Sequence, residues 1–546
     1  MYFSTRQNIK DKYLHIAFVS GLALLCFYPK PGGAATLPEL PRAFMDTTYA
    51  PPTGNTITVN AGGNFQTALN NAVLGDTIVL QAGATFTGPF TLPNKTSGTG
   101  WIYVRSSAYS SLPPPGSRVS PTHAVNMPKI VVNDLVGAAV QTTSQSHHFR
   151  FVGIEFKPVS SKFVFNLIQI GNGETSNSAL PDNIVFDRCY VHGGTTQPAG
   201  RRGFNISGTN IAVIDSHVTD FSQPGFDSQA IFVYQGNGPF KIVNNFLQGA
   251  SENLLFGGAD PVIPNSVPSD IEIRHNHFFK PLSWIGAGLQ VKNLLEFKNA
   301  QRVLVEGNIL QNNFAEAQNG FSLLITPRNQ DGAAPWSVTQ DITVRFNKFV
   351  NLAQGINLGG RDDIFTSQVT RRILIENNVI EVTGLNGGQG RILQIINGPV
   401  DVTIRHNTAF TIPTGTLSVS DNTTNKADQF DFRDNIVSAG EFGFIGTGTG
   451  PGTVTLNAFY TNYTFTKNAI IGGLGTYPAG NFFPANAAAV GFVNFAGGNY
   501  ALATGSTFRN AATDGKDLGA DIAALVAAGG GGLASGIPAP ANAIAQ

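Results

Sequence analysis

The chain of 546 residues carries 34 basic and 34 acidic side chains, so its bulk charge offers neither a basic surface for nucleic acid nor a strongly acidic surface. Charged residues make up 12% of the chain, whereas glycine contributes 62 residues and aromatic side chains 10%. This composition excludes a disordered chain and a coiled coil and favours a folded protein rich in β-structure. The two cysteines, Cys26 and Cys189, are too few for a disulfide framework or a thiolate metal site.

The first 35 residues predict an export signal. A basic start precedes an apolar run from Leu14 to Phe27 and the small residues Gly33-Ala34-Ala35, after which we expect cleavage. An uncleaved membrane anchor and a lipoprotein signal at Cys26 are the alternatives. No other segment approaches the roughly 18 apolar residues of a membrane helix. We therefore expect a protein without stable membrane insertion that is secreted, periplasmic or bound to the cell surface. We also expect it to be a monomer.

An internal repeat organises the body of the chain. The pattern apolar-x-apolar-x-x-Asn-x-apolar recurs, for example from Ile271 to Phe278, at steps of 27 to 39 residues. Its Asn position falls at Ile154, Cys189, Ser216, Asn245, Asn276, Asn308, Asn347, Asn378, Asn407, Asn435 and Asn468.

Alternation with a period of two within each copy predicts a strand, and a second strand precedes it, as in Leu254-Leu255-Phe256. Short strands without a helical period exclude leucine-rich and helical repeats, and the coils are too short for propeller blades. The strands must therefore wind into parallel sheets around one core. Inward Asn side chains can then stack and satisfy one another's hydrogen bonds.

From about Thr56 to Leu525 the sequence resembles the right-handed parallel β-helix proteins of the pectate-lyase-like superfamily. Residues Phe65 to Ala72 resemble the N-terminal cap helix of that family, and Asp514 to Asp521 resemble its closing segment. The resemblance implies an all-β, right-handed parallel β-helix of about ten or more coils with an N-terminal cap helix. The expected organisation is a signal peptide (1–35), a linker (36–55), the β-helix domain with end caps (56–525) and a flexible Gly/Ala/Pro tail (526–546).

Outward side chains of the second strand should form columns along the helix. The inward residues of this strand are taken to be Leu254, Leu295, Leu323, Ile356, Leu393 and Leu417. One outward column then holds Gln169, Asn205, Phe232, Leu255, Glu296, Leu324, Asn357, Gln394 and Ser418. The next holds Gly171, Ser207, Tyr234, Gly257, Lys298, Thr326, Gly359, Ile396 and Ser420. Arg328 lies one coil beyond Lys298, at a backbone distance of about 8 Å, so both side chains can reach one ligand.

A shallow groove with several cations and carboxylates suits an acidic polysaccharide, with or without Ca²⁺. Glu296-x-Lys298 followed by Arg328 resembles the alginate and chondroitin lyases of the β-helix class, which implies Lys298 and Arg328 as the catalytic pair. In β-elimination a cation neutralises the uronate carboxylate, a base removes the C5 proton and an acid protonates the leaving oxygen.

Further residues are predicted to contact the substrate or a metal ion. The substrate contacts are Glu296, Arg361, Tyr234, Trp284, Trp336 and Asn357, and the Ca²⁺ ligands are Asp260 and Glu296. His192, Arg201 and Arg202 form a second candidate basic spot. The alternative interpretation is that Glu296 and Lys298 are an exposed ion pair and that the protein is a non-catalytic glycan-binding or structural β-helix at the cell surface.

Overall fold

The computed structural model describes residues 35–132, 137–159, 162–194, 200–473 and 476–529. Residues 1–34 of the predicted signal and 530–546 of the predicted tail lie outside the described residues. The body repeats a unit of three short strands, and each strand pairs in parallel with its equivalent in the next unit. This is the predicted parallel β-helix, and one such unit is a coil.

The strands of successive coils form three ladders. Among the described residues the first ladder is a 14-stranded sheet, which agrees with the ten or more coils expected, and the second and third ladders join into one 25-stranded sheet. The first-ladder strands are Thr56–Val59, Thr77–Leu80, Ile102–Ser106, His147–Val152, Asp182–Asp187, Thr209–Ile214, Phe240–Val243, Ser269–Arg274, Ala300–Glu306, Thr339–Arg345, Arg371–Glu376, Val400–Arg405, Asp428–Arg433 and Tyr463–Thr466. The second-ladder strands are Thr85–Thr87, Lys129–Val132, Glu155–Pro158, Tyr190–His192, His217–Phe221, Phe246–Gly249, His277–Phe279, Ile309–Gln311, Lys348–Leu352, Val379–Val382, Thr408–Phe410, Ile436–Ser438 and Ala469–Ile471. The third-ladder strands are Phe90–Leu92, Val140–Thr142, Val164–Ile170, Gly200–Ser207, Gln229–Gln235, Glu252–Phe256, Leu295–Phe297, Phe321–Ile325, Gln354–Gly359, Arg391–Ile396, Thr416–Asp421 and Phe444–Gly446.

Helices lie mainly outside the ladders. The α-helices are α1 (Phe65–Asn71), α2 (Thr453–Phe459) and α3 (Ile522–Gly529), and the 3₁₀ turns are Tyr109–Ser111, Pro121–Asn126, Asn177–Ala179, Leu282–Trp284, Leu385–Gly387 and Ala488–Val490. Helix α1 buries Phe65 and Leu69 in the main core. Its role as a cap that prevents edge-to-edge association stays a prediction. None of the described helices is long and apolar enough to cross a membrane.

The stacked Asn column is confirmed. Asn308 is buried, and its Oδ1 accepts hydrogen bonds from the backbone N and the Nδ2 of Asn276 at 2.9 and 3.1 Å. Its Nδ2 donates to Asn347 Oδ1 at 2.9 Å and to the Ile273 carbonyl at 3.0 Å. The same bonds repeat from Asn245 to Asn468 and end at Asn481, 13 residues after Asn468. Sequence periodicity missed Asn481 because it is not one coil away.

Residues 36–50, which were expected to belong to a linker, form an extended arm that contacts the first ladder. Three of its amide groups donate to carboxylates of every second coil: Thr36 to Asp401, Glu39 to Asp341 and Arg42 to Asp270, at 2.8, 3.1 and 2.9 Å. Further along the arm, the Thr47 and Ala50 carbonyls accept hydrogen bonds from Arg150 and Tyr103. Residues 36–50 of the expected linker are therefore docked on the first ladder by hydrogen bonds, because the outward aspartates accept from their amides.

The C-terminal segment folds back over the second ladder. Tyr500, Phe508 and Leu518 pack against Phe410 and Ile436 of that ladder. The strands Phe492–Asn494 and Asn499–Leu502 form an antiparallel pair in this segment. Helix α3 includes residues 526–529 of the predicted tail.

Candidate functional site

Strand register confirms most of the predicted outward columns of the third ladder. Leu254 pairs with Leu295, and Leu255 pairs with Glu296, so the residue after each inward leucine faces outward. The confirmed column runs through Gln169, Asn205, Phe232, Leu255, Glu296, Leu324, Asn357 and Gln394. At the next coil the prediction was wrong by one residue, because Gln394 pairs with Val419. Leu417 and Ser418 are both fully buried, which breaks the simple alternation there.

The third-ladder strands bend where two consecutive residues point inward. Leu167 and Ile168 are both fully buried, so the outward side chains on either side of them approach each other. Asn166 Nδ2 donates to Gln169 Oε1 at 2.8 Å, and the same spacing brings Arg391 to Gln394. The outer face of the third ladder is therefore concave, and we call it the third-ladder groove.

Lys298 lies in this groove above a buried carboxylate. Its Nζ is 3.8 Å from Glu296 Oε2, and the side chains are 21% and 3% exposed, respectively. Asn293 donates a short hydrogen bond to the other Glu296 oxygen. Glu296 is thus a buried support for Lys298 and offers no surface to a sugar, contrary to both its predicted substrate contact and the exposed-pair interpretation.

Arg328 is held in a similar way by the following coil. Its Nη1 donates to Asp362 Oδ1 at 3.0 Å and to Asp363 Oδ1 at 3.2 Å. The Arg328 side chain is 20% exposed, whereas that of Asp362 is fully buried. Burial raises the pKa of Asp362, but the backbone N–H groups of Ile364 and Asn329 and the charge of Arg328 outweigh it, so the pKa is lowered.

The two predicted catalytic residues are backbone neighbours on adjacent coils. Arg328 N donates to the Lys298 carbonyl at 2.8 Å. Lys298 extends toward Glu296 on its own strand, whereas Arg328 extends toward Asp362 on the next coil. The predicted backbone proximity is present and each cation has its own carboxylate, while the convergence of both side chains on one ligand stays a prediction.

The predicted Ca²⁺ ligands do not fit a calcium ion. Asp260 Oδ1 accepts the amide of Gln330 at 2.6 Å, and Oδ2 accepts the amides of Asp331 and Ala333, both at 2.9 Å. Asp260 therefore anchors the loop after the Arg328 strand, while Glu296 is bound to Asn293 and Lys298. Within the described ranges, no group of three or more His, Cys, Asp or Glu side chains is placed to hold a metal ion.

Two other predicted contact residues have partners inside the protein. Arg361 Nη1 donates to the carbonyls of Asn397 and Gly398, both at 3.0 Å, and so supports a turn. Asn357 is 6% exposed and accepts a hydrogen bond from Thr326 at 3.4 Å.

Tyr234 is half-buried in the groove, and its ring stacks on Phe232 with centroids 5.8 Å apart. Burial raises the pKa of Tyr234. Of the predicted contacts, Tyr234 thus keeps part of an aromatic side chain accessible on the groove.

Both predicted tryptophans anchor inserted loops. Trp336 Nε1 donates to the Ser266 carbonyl at 3.3 Å, after the third-ladder strand of its coil. Trp284 precedes a third-ladder strand and packs against a cluster formed by Ala250, Leu289, Val291 and Phe314. These contacts hold the loops on either side of the groove, and the sugar-stacking role of the two rings stays a prediction.

A buried charge network beneath the groove was not predicted. Glu252 is 2% exposed, and Gln229 Nε2 donates to its Oε2 at 2.7 Å. Burial, followed by the charge of Glu296, raises the pKa of Glu252 to about 8. Simple alternation from Leu254 places Glu252 inside the core; the bend of the strand turns it outward, and the sequence pattern does not show this bend.

Lys280 belongs to the same network. Its Nζ donates to the carbonyls of Gly249, Ala250 and Ser251 at 2.9, 2.7 and 3.0 Å. Burial lowers the pKa of Lys280 to about 7. Three acceptors nevertheless require three N–H donors, which only the ammonium form has, so the observed geometry is that of the cation.

The second candidate basic spot is divided between two ladders. His192 Nε2 lies 3.1 Å from Glu155 Oε1 on the second ladder. Arg201 and Arg202 lie on the third-ladder strand Gly200–Ser207. His192 is therefore not part of the arginine pair.

Comparisons with known proteins find matches only among solved structures, all at low similarity. No protein-family model matches the chain, and no curated protein matches its sequence significantly. Pectate lyase Pel9A is 14% identical with a TM-score of 0.32, over 86% of this chain and 96% of that one. The PL6 family alginate lyase AlyGC is 14% identical with a TM-score of 0.45, over 83% of this chain and 57% of that one. A GH87 α-1,3-glucanase from Streptomyces thermodiastaticus is 12% identical with a TM-score of 0.46, over 79% and 71%.

Proposed function

We propose that this parallel β-helix binds an acidic polysaccharide in the third-ladder groove and cleaves it by β-elimination at Lys298 and Arg328. One observation supports the proposal: two cations on adjacent coils are each about one-fifth exposed, and each is held by a carboxylate that is almost completely buried. Ordering a long cationic side chain on binding costs conformational entropy. The buried carboxylates have already ordered these two, which lowers the free-energy cost of binding an anionic sugar.

The two residues suit different steps of the reaction. The planar guanidinium of Arg328 can pair with the uronate carboxylate through N–H groups other than those bound to Asp362, and so stabilise the charge that develops when C5 loses its proton. Lys298 takes this proton. The electron pair of the C5–H bond forms the C4–C5 double bond, the C4–O bond breaks, and an acid protonates the leaving oxygen. Export through the predicted signal would bring the enzyme to polymers outside the cytoplasm.

Binding without turnover is the second candidate function. It is favoured by the observation that both cations already have carboxylate partners, Glu296 for Lys298 and Asp362 with Asp363 for Arg328. A lysine and an arginine that are each held by a carboxylate can bind an anionic sugar without any proton transfer. In this case the groove holds an acidic glycan at the cell surface and leaves it intact.

Substitution of the two cations tests the proposal. Lys298→Ala and Arg328→Ala should each lower turnover of the polysaccharide by about 10²–10⁴-fold, because a positioned proton-transfer group or a charge-stabilising group is lost. The measurement is the ultraviolet absorbance of the unsaturated uronate over a panel of alginate, pectate and glycosaminoglycans. Lys348→Ala is the control, since Lys348 is ion-paired to Glu381 at 3.9 Å on the second ladder, and it should keep full activity.

The two candidate functions give different results. If the wild type releases no unsaturated product but binds an acidic glycan, and both variants weaken that binding in a salt-dependent way, the second candidate is correct. If neither variant changes binding or turnover on any acidic glycan that the wild type recognises, the groove around Lys298 is not the site.

A further inference from the structure

Five side chains at the third ladder form one continuous cation–π stack. The order along it is Phe226, Arg201, Phe165, Arg202 and Phe232. From each guanidinium carbon to the adjacent ring centroids the distances are 5.5 and 4.7 Å for Arg201 and 5.3 and 4.8 Å for Arg202. Phe226 and Phe165 are 53% and 40% exposed, whereas Phe232 is buried. The stack therefore begins in solvent and ends in the wall of the groove.

Each guanidinium is held in place by a hydrogen bond that its Nε donates. Arg201 Nε donates to the Asp227 carbonyl at 2.8 Å, and Arg202 Nε donates to Gln229 Oε1 at 2.7 Å. No carboxylate oxygen of the described residues lies within 4.0 Å of either guanidinium, in contrast to Arg328. A guanidinium between two rings is covered on its faces, so its N–H groups are available in the plane of the group, which is the geometry that binds a carboxylate or sulfate.

The two adjacent positive charges are unfavourable without an anion. Burial, followed by the charge of Arg201, lowers the pKa of Arg202 to about 10, and the charges of Glu252 and Asp227 offset only part of this effect. The ring faces offset part of this cost, but they do not neutralise charge. An external anionic group that binds both arginines would relieve the repulsion.

We propose that Arg201 and Arg202 bind the anionic group of a sugar residue, while the exposed rings of Phe165 and Phe226 stack against the sugar chain. The ligand class rests on the proposed function, an acidic polysaccharide, but the site does not depend on cleavage. The strand that carries Arg202 is three coils from the strand before Lys298, through the pairs Phe204 to Ile231, Ile231 to Leu254 and Leu254 to Leu295. This separation is about 14 Å along the axis, so only an oligomer reaches both sites.

Calorimetric titration of the purified protein tests the proposal with three probes: an oligouronate, a sulfated neutral oligosaccharide and the unsulfated form of the same oligosaccharide. Arg201→Gln and Arg202→Gln should each weaken binding of the anionic probe by about 10- to 100-fold, as expected for the loss of charge-assisted hydrogen bonds. The first two probes distinguish a carboxylate from a sulfate as the recognised group. The neutral probe should bind wild type and variants equally weakly.

Two further variants complete the test. Arg371→Gln is the matched control, because Arg371 Nε also donates to a glutamine of the neighbouring coil, Gln340, at 2.8 Å but lies on the first ladder. Phe226→Ala removes an exposed ring and leaves both arginines; it should weaken binding several-fold at an unchanged melting temperature. Wild-type affinity in Phe226→Ala and in both arginine variants would overturn the proposal, as would a wild type that binds neither anionic probe.

Kinetics separate this site from the proposed catalytic pair. On the polymer, Arg202→Gln should raise KM and leave kcat unchanged, whereas Lys298→Ala should lower kcat. If the wild type binds the anionic probe through Arg202 but forms no unsaturated product, the cleavage proposal fails and the binding site stands. If the product forms and Arg202→Gln changes neither KM nor affinity, the binding site fails and the cleavage proposal stands.

Discussion

At the residue scale, the residue before each Asn of the column has a strained backbone, and the hydrogen bonds of that Asn offset the strain. The residue before each Asn is left-handed, with φ of +57° at His275, +55° at Phe346 and +53° at Asn377. This conformation costs roughly 1–2 kcal/mol for a residue with a Cβ. It directs the next side chain inward, where each Asn accepts two hydrogen bonds and donates to carbonyls of its own and neighbouring coils. The strain persists because the Asn column satisfies buried groups that would otherwise be unpaired.

Replacement of one member of the column should therefore affect both neighbouring coils. Asn308→Leu removes the acceptor of Asn276 and the donor to Asn347, and we expect a loss of about 1–3 kcal/mol of unfolding free energy for each group left unsatisfied. Urea denaturation measures this loss. Asn60→Leu is the control at an exposed position and should change stability by less than about 0.5 kcal/mol. Equal stability of the two variants would contradict the importance of the column.

Glu252 should make stability depend on pH. Its pKa is about 8 in the folded protein against an ordinary value of 4.5, so between these values the folded state holds a proton that the unfolded chain releases. The contribution of Glu252 to stability is therefore greatest below about pH 4.5 and falls as pH rises toward 8. Lys280 contributes no pH dependence of stability below pH 7, because its amine is protonated there in both the folded and the unfolded state.

From pH 5 to pH 7 we expect the wild type to lose on the order of 2 kcal/mol relative to Glu252→Gln, which cannot ionise. Urea denaturation at the two pH values provides the measurement. Glu441→Gln, at an exposed position, should follow the wild type. A pH dependence that is the same with and without Glu252 would show that this carboxyl is already ionised in the folded protein.

At the scale of the element, the spacing of the bonded amides in the arm matches the spacing of the coils. In the arm, Pro38 and Pro41 precede Glu39 and Arg42, and three residues of polyproline II advance about 9 Å. Two strand spacings are nearly the same distance, about 9.6 Å. Every third amide of the arm therefore meets the aspartate of every second coil. The Pro-x-x-Pro spacing was visible in the sequence, but the outward Asp column that it matches only becomes apparent from the structure.

Proline substitutions in the arm test whether the amides that donate to aspartates hold it in place. Glu39→Pro removes the N–H that donates to Asp341, whereas Leu40→Pro removes an amide that donates to no acceptor among the described residues. We expect Glu39→Pro to weaken arm docking by about 1 kcal/mol, which increases the open population and hence proteolysis of the arm about fivefold. Leu40→Pro should be cleaved at the wild-type rate. Equal cleavage of both variants would show that the amide contacts do not hold the arm.

At the scale of the whole molecule, the periodic parts could be predicted from the sequence and the non-periodic parts could not. The repeat located the Asn column, the ladders and the proximity of Lys298 and Arg328, because each depends only on position within a coil. The role of Asp260 depends on a loop 70 residues further along the chain. The bend that turns Glu252 outward cannot be recognised from the alternation of residue types in the sequence. The cation–π stack escaped prediction for the same reason, since it joins residues from three coils.

In-register parallel stacking also brings equivalent side chains to about 4.8 Å from each other over the whole molecule. Like charges at that distance would repel, and from Arg274 to Arg405 the first ladder avoids this by alternating basic and acidic residues. Arg405 then pairs with Arg433, which instead binds Asp431 of its own strand at 2.6 Å. Arg274 and Arg345 both bind Glu306, at 2.7 and 2.6 Å, and Arg405 binds Glu376 at 2.9 Å. The same alternation places Arg302 beside Asp270 and Arg372 beside Asp341 in the column that binds the arm.

The position of the arm has a consequence for the order of events during synthesis. Thr36 binds Asp401, a residue 365 positions later in the chain. The arm is made early, yet its last partner does not exist until most of the coils have been translated. Docking of the arm must therefore follow formation of the late coils, and until then the segment next to the predicted signal stays accessible to whatever recognises it.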